Sequence, residues 1–135
     1  MKELKISVDE LKKCIPELDV GDKVLLSGTV YTSRDAAHKR IFELMEKGES
    51  LPFPIENSVI YYAGPTPTPE NMAIGSCGPT TSQRMDSYAP KLYDMGMTAT
   101  VGKGERSKEV IDAIKRNGGI YLCAIGGAGA LAALS

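Results

Sequence analysis

The feature that most constrains this chain is the alternation of short apolar runs with segments whose apolar residues recur every three or four positions. The runs favour strands, and the segments between them, which end at glycine, favour helices. The opening segment, 6–18, fits either a short helix or a strand followed by a helical turn. Strands are predicted at 24–30, 58–62, 72–75, 98–101 and 120–125, and helices at 37–45, 85–93 and 107–117, with a kink or break at Pro90.

Strands that alternate with helices imply parallel pairing through right-handed crossovers. The predicted fold class is therefore α/β, built from parallel strand–loop–helix units. The loops that follow the strands of such a sheet gather along one edge, and open α/β sheets bind their ligands at that edge. Binding residues are therefore expected in those loops.

Size and charge exclude several classes of function. The chain has 135 residues, 42% of them hydrophobic, which suits a single domain over residues 1–135. Lys and Arg number 16 against 17 Asp and Glu, so the basic excess that nucleic acid or an anionic membrane attracts is lacking. No apolar run approaches the roughly 20 residues that cross a bilayer, and the first residues lack the apolar stretch of a secretory signal. We expect a soluble cytoplasmic protein that binds neither nucleic acid nor membrane.

The three cysteines, Cys14, Cys77 and Cys123, do not form a recognisable framework. They are odd in number, lie far apart in sequence and include no Cys-x-x-Cys pair, so neither disulfides nor a zinc ribbon is indicated. An iron–sulfur cluster needs three or four thiolates that converge, and this spacing does not support one. Free thiols and no metal site in this chain are the expectation.

Three of the predicted loops carry a cation at or near the start of the next helix, namely Arg34, Arg84 and Lys103. Backbone N–H groups and the helix dipole favour an anion at such positions. Arginine donates two parallel hydrogen bonds to a carboxylate, so two arginines and a lysine on one edge suit a small dicarboxylate. The alternative is that each is a solvated surface charge.

The loop 78–82 places Thr80 and Thr81 beside glycine and proline, close to a predicted helix start. Hydroxyls in such a place commonly cap the helix. A threonine is a poor base unless neighbouring cations or a partner group lower its pKa. The pattern alone therefore leaves a capping role and a catalytic role open.

Four stretches resemble the β subunit of class I fumarases and tartrate dehydratases: GTVYTSRDAAH at 28–38, YAGPTP at 62–67, GPTTSQRMD at 78–86 and GKG at 102–104. They occur in the order of the family, and the resemblance covers nearly the whole chain from Gly21 onward. It implies a swivelling β/β/α domain of three layers. The family's β subunit usually continues beyond the glycine-rich segment, whereas this sequence stops at Ser135, so we expect a shortened member or a truncated chain.

The resemblance also implies a reaction, the reversible hydration of fumarate to L-malate, with a tartrate dehydratase as the alternative. In the family an α part holds a [4Fe-4S] cluster whose open iron acts as Lewis acid on the leaving hydroxyl. The residue that matches Thr80 removes the C3 proton of malate, and those that match Arg34, Arg84 and Lys103 bind the carboxylates. The expected partners are therefore the iron–sulfur α subunit, in a hetero-oligomer, and a small dicarboxylate substrate.

Other residues of these motifs are candidates for lining the site: Asp35, Gly78, Thr81 and Asp86. Cys77 directly precedes Gly78, but the family draws its cluster thiolates from the α part, so Cys77 is interpreted as a non-ligand. His38 falls on the early turn of a predicted helix. A surface or capping role is expected for it, with an acid role as the alternative.

Two functions of a different class stay open at the level of sequence. Gly127 and Gly129, with Ala132 three residues on, follow a predicted strand and imitate a dinucleotide-binding fingerprint, which requires a helix at that place and an acidic residue about 20 positions later. The chain ends before such a residue. The second alternative is a non-catalytic regulatory or assembly domain that has kept the fold and lost the chemistry. The presence of Thr80, Arg34, Arg84 and Lys103 argues against it.

Overall fold

A computed structural model describes residues 3–62, 82–124 and 129–134, the last of these by its backbone alone. The described strands are β1 (Glu3–Ser7), β2 (Lys23–Ser27), β3 (Tyr31–Thr32), β4 (Val59–Tyr61), β5 (Ala99–Gly102), β6 (Ile120–Ala124) and β7 (Gly129–Leu134). The helices are α1 (Val8–Cys14), α2 (Asp35–Glu46), α3 (Ala89–Asp94) and α4 (Lys108–Asn117), with 3₁₀ helices at Ile15–Glu17 and Ser82–Met85. We call the second 3₁₀ helix the Ser82 turn.

All these strands belong to one sheet, in the order β1-β2-β7-β6-β5-β4-β3. The pairs β1–β2, β3–β4, β4–β5 and β5–β6 are parallel, whereas β7 is antiparallel to both of its neighbours, β2 and β6. Because β7 reverses the direction twice, β2 and β6 run the same way. The described strands other than β7 are thus all parallel, which confirms a mixed α/β fold with parallel strand–loop–helix units.

The sheet is curved, and the curvature brings β3 close to β2. Only residues 28–30 separate β2 from β3, and such a connection spans at most about 14 Å. In a flat sheet the five steps from β2 through β7, β6, β5 and β4 to β3 would span about 24 Å. The two strands can both keep their partners only if the sheet bends, so β2 and β3 are one chain segment that changes partners at Gly28, where φ is 105°.

Two hydrophobic cores lie on the two faces of this sheet. On β4 the side chains alternate, so that Val59 and Tyr61 pack with α1 in the first core, while Ile60 joins α2, α3 and α4 in the second. On β6 Leu122 faces the first core and Tyr121 the second. This period of two is the pattern expected for strands that are covered on both faces.

Local sequence signals explain the bounds of α4. The Ser107 hydroxyl accepts a hydrogen bond from the Val110 amide at 3.4 Å, and Gly118 ends the helix in the left-handed region with φ of 65°. Serine is common at the N-cap because its hydroxyl accepts a hydrogen bond from the first turn. Glycine is common just after the last turn because it adopts a positive φ without strain. The predicted helices at 37–45 and 107–117 are confirmed, as are the predicted strands at 58–62 and 98–101 and, as far as Ala124, the strand predicted at 120–125.

Several predictions about elements were wrong in detail. The run 24–30 is not one strand, because the chain leaves β2 at Ser27 and pairs with β4 from Tyr31. The helix predicted at 85–93 is interrupted, as expected, but before Pro90 and not at it: the Ser82 turn ends at Met85, and α3 begins at Ala89, with Pro90 in its first turn. Of the two readings of 6–18, the strand followed by a helix is the correct one.

The glycine-rich C-terminal segment leads into a strand. Residues 129–134 form β7 where a dinucleotide fingerprint requires a helix. The dinucleotide-binding alternative is therefore contradicted. The predicted strand at 72–75 and residues 63–67 of the YAGPTP motif lie outside the described residues. Across the described parts of the chain, no helix combines the length and the apolar character needed to cross a membrane.

Candidate functional site

The carboxyl ends of β3, β4 and β5 lie side by side. Thr32 is the register partner of Tyr61, and Tyr61 is the register partner of Val101. Arg34 follows Thr32 by two residues and Lys103 follows Val101 by two, so both cations emerge at the same height of the same sheet edge. The predicted gathering of these loops along one edge is confirmed for Arg34 and Lys103.

Arg34 immediately precedes α2 and has an exposed side chain. Its carbonyl oxygen accepts a hydrogen bond from the His38 amide at 2.9 Å, as the first turn of the helix requires. The preceding Ser33 amide donates to the Tyr61 carbonyl at 3.0 Å, which extends the pairing of β3 with β4 up to the helix start. The backbone at Arg34 is therefore fixed on both sides while its guanidinium faces solvent.

Arg84 lies in the Ser82 turn and is joined to the start of α2. Its Nη2 atom is 2.6 Å from Asp35 Oδ2, with 60% of the Arg84 side chain and 43% of the Asp35 side chain exposed. Since Asp35 directly follows Arg34, the ion pair brings the two arginine-bearing segments together. Its exposure leaves the Arg84 guanidinium open to a second anion.

Lys103 is tied to the same turn through its backbone. The Ser82 amide donates to the Lys103 carbonyl at 2.8 Å. The Tyr121 hydroxyl donates to the Gly104 carbonyl at 2.8 Å, so at its 2.8 Å contact with Ser82 Oγ the serine is the donor. The Ser82 turn therefore contacts α2 at one side and the Lys103 loop at the other.

Gly102 is required by this arrangement. A Cβ atom at this position would collide with Ser82 Oγ and approach Tyr62 Cδ2 to 2.9 Å. The glycine thus lets the Ser82 turn lie directly on the end of β5. This gives the first glycine of the GKG motif a packing role beside its cation.

Asp86, a candidate lining residue, has both carboxylate oxygens engaged within the chain. Oδ1 accepts from Arg106 Nε at 2.8 Å, and Oδ2 accepts from the Ser107 amide at 2.7 Å. The Arg106 side chain is fully buried and that of Asp86 is 10% exposed. Sequence reasoning missed Arg106, because a charged residue just before a helix N-cap is ordinarily solvated.

His38 contradicts the expected surface or capping role, since its side chain is fully buried between α2 and the sheet. Nδ1 lies 3.1 Å from the Arg34 carbonyl and 2.8 Å from Ser33 Oγ. A carbonyl oxygen only accepts, so Nδ1 carries the hydrogen. Within the described part of the chain, Nε2 has no hydrogen-bond partner.

The environment of His38 keeps its ring neutral. Burial lowers the pKa of His38 below its usual value of 6.5, and the Arg106 charge lowers it further, against an opposing effect of the hydrogen bond to Arg34. The rings of Tyr62 and Tyr88 lie 5.5 and 5.4 Å from the imidazole. A neutral imidazole in an aromatic surrounding avoids the cost of burying a charge.

Several candidate residues lie outside the described residues: Gly78, Thr80 and Thr81, together with Cys77. Among the residues that are described, no group of three His, Cys, Asp or Glu side chains could hold a metal ion. Cys14 and Cys123 are free thiols. The described part of the chain therefore offers no ligand set for an iron–sulfur cluster.

A cavity of about 330 Å³ lies at the other end of β3 and β4, bordered by Tyr31, Ser58 and the acidic side chains of Asp9 and Glu56. It is lined by residues at the start of these strands, whereas Arg34 and Lys103 follow their ends. The cavity is therefore separate from the cation-bearing edge.

Comparison with known proteins identifies a family that the whole chain matches. The family model described as the fumarase C-terminus matches residues 1–135. Fumarate hydratase 2 of Leishmania major is 47% identical over 97% of this chain, and the match covers 23% of that protein. The aerobic class I fumarate hydratase of Escherichia coli is 45% identical over 92% of this chain and 23% of its own length.

A further relative is named as a subunit of an enzyme. A Methanocaldococcus jannaschii protein named "Putative L(+)-tartrate dehydratase subunit beta" is 42% identical over 92% of this chain, and the match covers 65% of that protein. The chain thus spans about a quarter of the fumarate hydratases it resembles, and a larger share of this subunit.

Replacing Asp86 by alanine should destabilise the fold strongly, because it leaves the Arg106 charge buried and unpaired. The expected loss is about 3–5 kcal/mol in the free energy of unfolding, measured by urea denaturation. The matched control is Asp94→Ala, which removes an Arg116 partner at the same 2.8 Å distance, but from an exposed pair. Equal losses of the free energy of unfolding in the two variants would contradict a buried ion pair.

His38 should make stability sensitive to acid. Because its folded pKa lies below the 6.5 of the unfolded chain, its neutral form is fully compatible with the fold above pH 6.5. Stability is lost as the pH falls from 6.5 through the lower folded pKa. In thermal melts, His38→Asn should remove this component, so the stability gap between wild type and variant narrows from pH 7.5 to pH 5. A gap that stays constant would show that His38 does not titrate with unfolding.

Proposed function

This chain belongs to the fumarase C-terminus family, and from that premise we propose that it supplies the dicarboxylate-binding part of an iron–sulfur hydro-lyase that interconverts fumarate and L-malate. The observation that carries the proposal is the placement of the three cations. Arg34 and Lys103 emerge at one height of one sheet edge, and the Ser82 turn with Arg84 contacts both of their segments. A dianion with two carboxylates is the ligand that such an edge suits.

In the proposed reaction the cations of this chain do more than bind. Removal of the C3 proton of malate places extra negative charge on the adjacent carboxylate, and fixed guanidinium and ammonium groups stabilise that charge as it develops. Thr80 is proposed as the base, because a hydroxyl that has cations beside it loses its proton more readily. Gly78 and Thr81 are proposed to line the same pocket.

Asp35 is proposed to orient Arg84. As an ion pair at 2.6 Å it holds the guanidinium at the sheet edge, while the exposed part of Arg84 stays open to substrate. An acidic group this close also lowers the net positive charge of the cation-bearing edge. Asp86 links the same segment to the core, because it accepts hydrogen bonds from Arg106 and from the Ser107 amide.

The proposed cofactor is a [4Fe-4S] cluster on a separate α part, where it would supply Lewis acidity toward the leaving hydroxyl. The proposed assembly is therefore a hetero-oligomer, or a fused chain, with an iron–sulfur α part. The length of the fumarate hydratase relatives, about four times the matched segment, is compatible with such a division. We further propose a single swivelling β/β/α domain over residues 1–135 and a cytoplasmic location.

Tartrate is the second candidate substrate. The Methanocaldococcus jannaschii relative is named as a β subunit, and this chain matches 65% of it against 23% of the fumarate hydratases. If this chain is likewise a β subunit, it shares its subunit arrangement with that protein, which favours tartrate as a substrate. The dianion site serves both substrates, since each carries two carboxylates.

The test is anaerobic co-expression with the iron–sulfur α part, followed by assays with fumarate, L-malate and tartrate. We expect a brown complex that interconverts fumarate and malate, whereas the chain alone should be colourless and inactive. A colourless single chain with full activity would contradict the division of the enzyme. A complex that is inactive on all three acids would contradict the proposed substrates.

Within the active complex, Thr80→Ala should lower kcat by about 10²–10⁴-fold with little change in KM, because it removes a proton acceptor but no carboxylate contact. Arg84→Ala should raise KM and lower kcat together. The control is Arg40→Ala, an exposed arginine on α2 whose Nη1 atom lies 3.9 Å from Glu43. Mild and equal effects of Thr80→Ala on kcat and KM would reduce Thr80 to a helix cap.

A further inference from the structure

Arg106 is a buried cation that the proposed reaction does not use. Its guanidinium donates through Nε to Asp86 Oδ1 at 2.8 Å, through Nη1 to Thr100 Oγ1 at 3.0 Å and through Nη2 to the Tyr62 hydroxyl at 3.0 Å. The centroids of the Tyr62 and Tyr121 rings each lie 5.0 Å from the guanidinium carbon. Each of these contacts restrains the group in a different direction.

Apart from Asp86, the partners of Arg106 come from three neighbouring strand segments. Thr100 lies on β5 and Tyr121 on β6, where they are register partners, and Tyr62 directly follows β4. All three belong to the side of the sheet that α2, α3 and α4 cover. The Tyr93 hydroxyl bonds Thr100 Oγ1 at 2.9 Å and the Ile120 carbonyl at 2.7 Å, which completes a polar layer inside an otherwise apolar core.

This buried layer is connected to two of the surface cations by short stretches of chain. Arg106 follows Lys103 by three residues, and Asp86 follows Arg84 by two. Asp86 receives hydrogen bonds from both Arg106 and the Ser107 amide, so the loop after β5 and the Ser82 turn are joined at two points. Tyr121 joins them again, through Gly104 and Ser82.

We propose that Arg106 is a positioning residue that fixes the separation of Lys103 and Arg84 and thereby sets the length of the dicarboxylate that the site accepts. This inference rests on the proposed function, because it assigns Lys103 and Arg84 to the carboxylates. Arg106 itself contacts no substrate, since its side chain is fully buried.

A guanidinium suits this task better than an ammonium. Its planar fork donates in fixed directions, and here it reaches Asp86, Thr100 and Tyr62 at once. A lysine at this position keeps the charge but cannot satisfy three partners in that geometry. Arg106→Lys therefore loosens the junction between the Lys103 loop and the Ser82 turn while it preserves the net charge.

The first test measures the junction directly, by hydrogen exchange of the Ser82 amide in the full chain. This amide bonds the Lys103 carbonyl, so its protection reports whether the turn and the loop stay joined. Arg106→Lys should raise its exchange rate by about tenfold or more relative to amides within β5. Tyr62→Phe, which removes one of the three acceptors, should have a smaller effect in the same direction.

The control variant is Tyr93→Phe. It removes a buried hydroxyl of the same polar layer, with its bonds to Thr100 and Ile120, but it leaves every contact of Asp86 and Ser82 in place. A general loss of stability should therefore appear in Arg106→Lys and in Tyr93→Phe alike. A faster exchange of the Ser82 amide relative to the amides of β5 should appear only when Arg106 or Tyr62 is changed. Equal relative exchange at Ser82 in Arg106→Lys and Tyr93→Phe would overturn the positioning role.

The second test measures selection for length in the enzyme assembled with its α part, from the inhibition constants of malonate, succinate and glutarate. One methylene of mismatch in a fitted pocket is typically worth about 10–200-fold. Wild type and Tyr93→Phe should share the same preference for the four-carbon acid, and Arg106→Lys should reduce that preference by about tenfold or more. An unchanged preference in Arg106→Lys, with wild type still selective, would overturn the inference alone.

Failure of the proposed function would give a different result from failure of the positioning role alone. If the wild-type enzyme binds none of the three dicarboxylates, the assignment of the cations to carboxylates is wrong, and the proposed control of length falls with it. The exchange of the Ser82 amide would still show whether Arg106 joins the two segments.

Discussion

The buried ion pair between Arg106 and Asp86 is the interaction on which the arrangement of this domain depends. A guanidinium without access to solvent is tolerated only when its charge is paired and its N–H groups find acceptors. Here the acceptors come from β5, from the end of β4 and from the residue after the Ser82 turn. Satisfying one buried charge therefore fixes the relative positions of elements that are distant in sequence.

The segments that carry the exposed cations are held in place by contacts with the core. Arg34, Arg84 and Lys103 have side chains at the surface, where long cationic side chains are ordinarily mobile. Their backbones, however, are held by the pairing of β3 with β4, by the Ser82 amide on Lys103 and by Asp86 just beyond Arg84. A binding site with fixed spacing can thus be built from surface residues, because the segments that carry them are anchored in the core.

The sequence allowed the prediction of the elements whose signals are local. Ser107 and Gly118 mark the ends of α4, and the strands β4, β5 and β6 follow from their apolar runs. What depended on distant contacts was missed. The segment 129–134 is rich in alanine and leucine, which favour helix, yet it forms β7 because β2 and β6 both offer it backbone partners. Arg106 and His38 resembled surface residues, since their burial follows from packing between layers and not from periodicity.

The most direct measurement is a crystal structure of this chain assembled with the proposed iron–sulfur α part and bound to L-malate. We expect Arg34, Arg84 and Lys103 to donate hydrogen bonds to the malate carboxylates at about 2.7–3.2 Å. Malate carboxylates that contact only the α part, with these three side chains turned to solvent, would contradict this expectation.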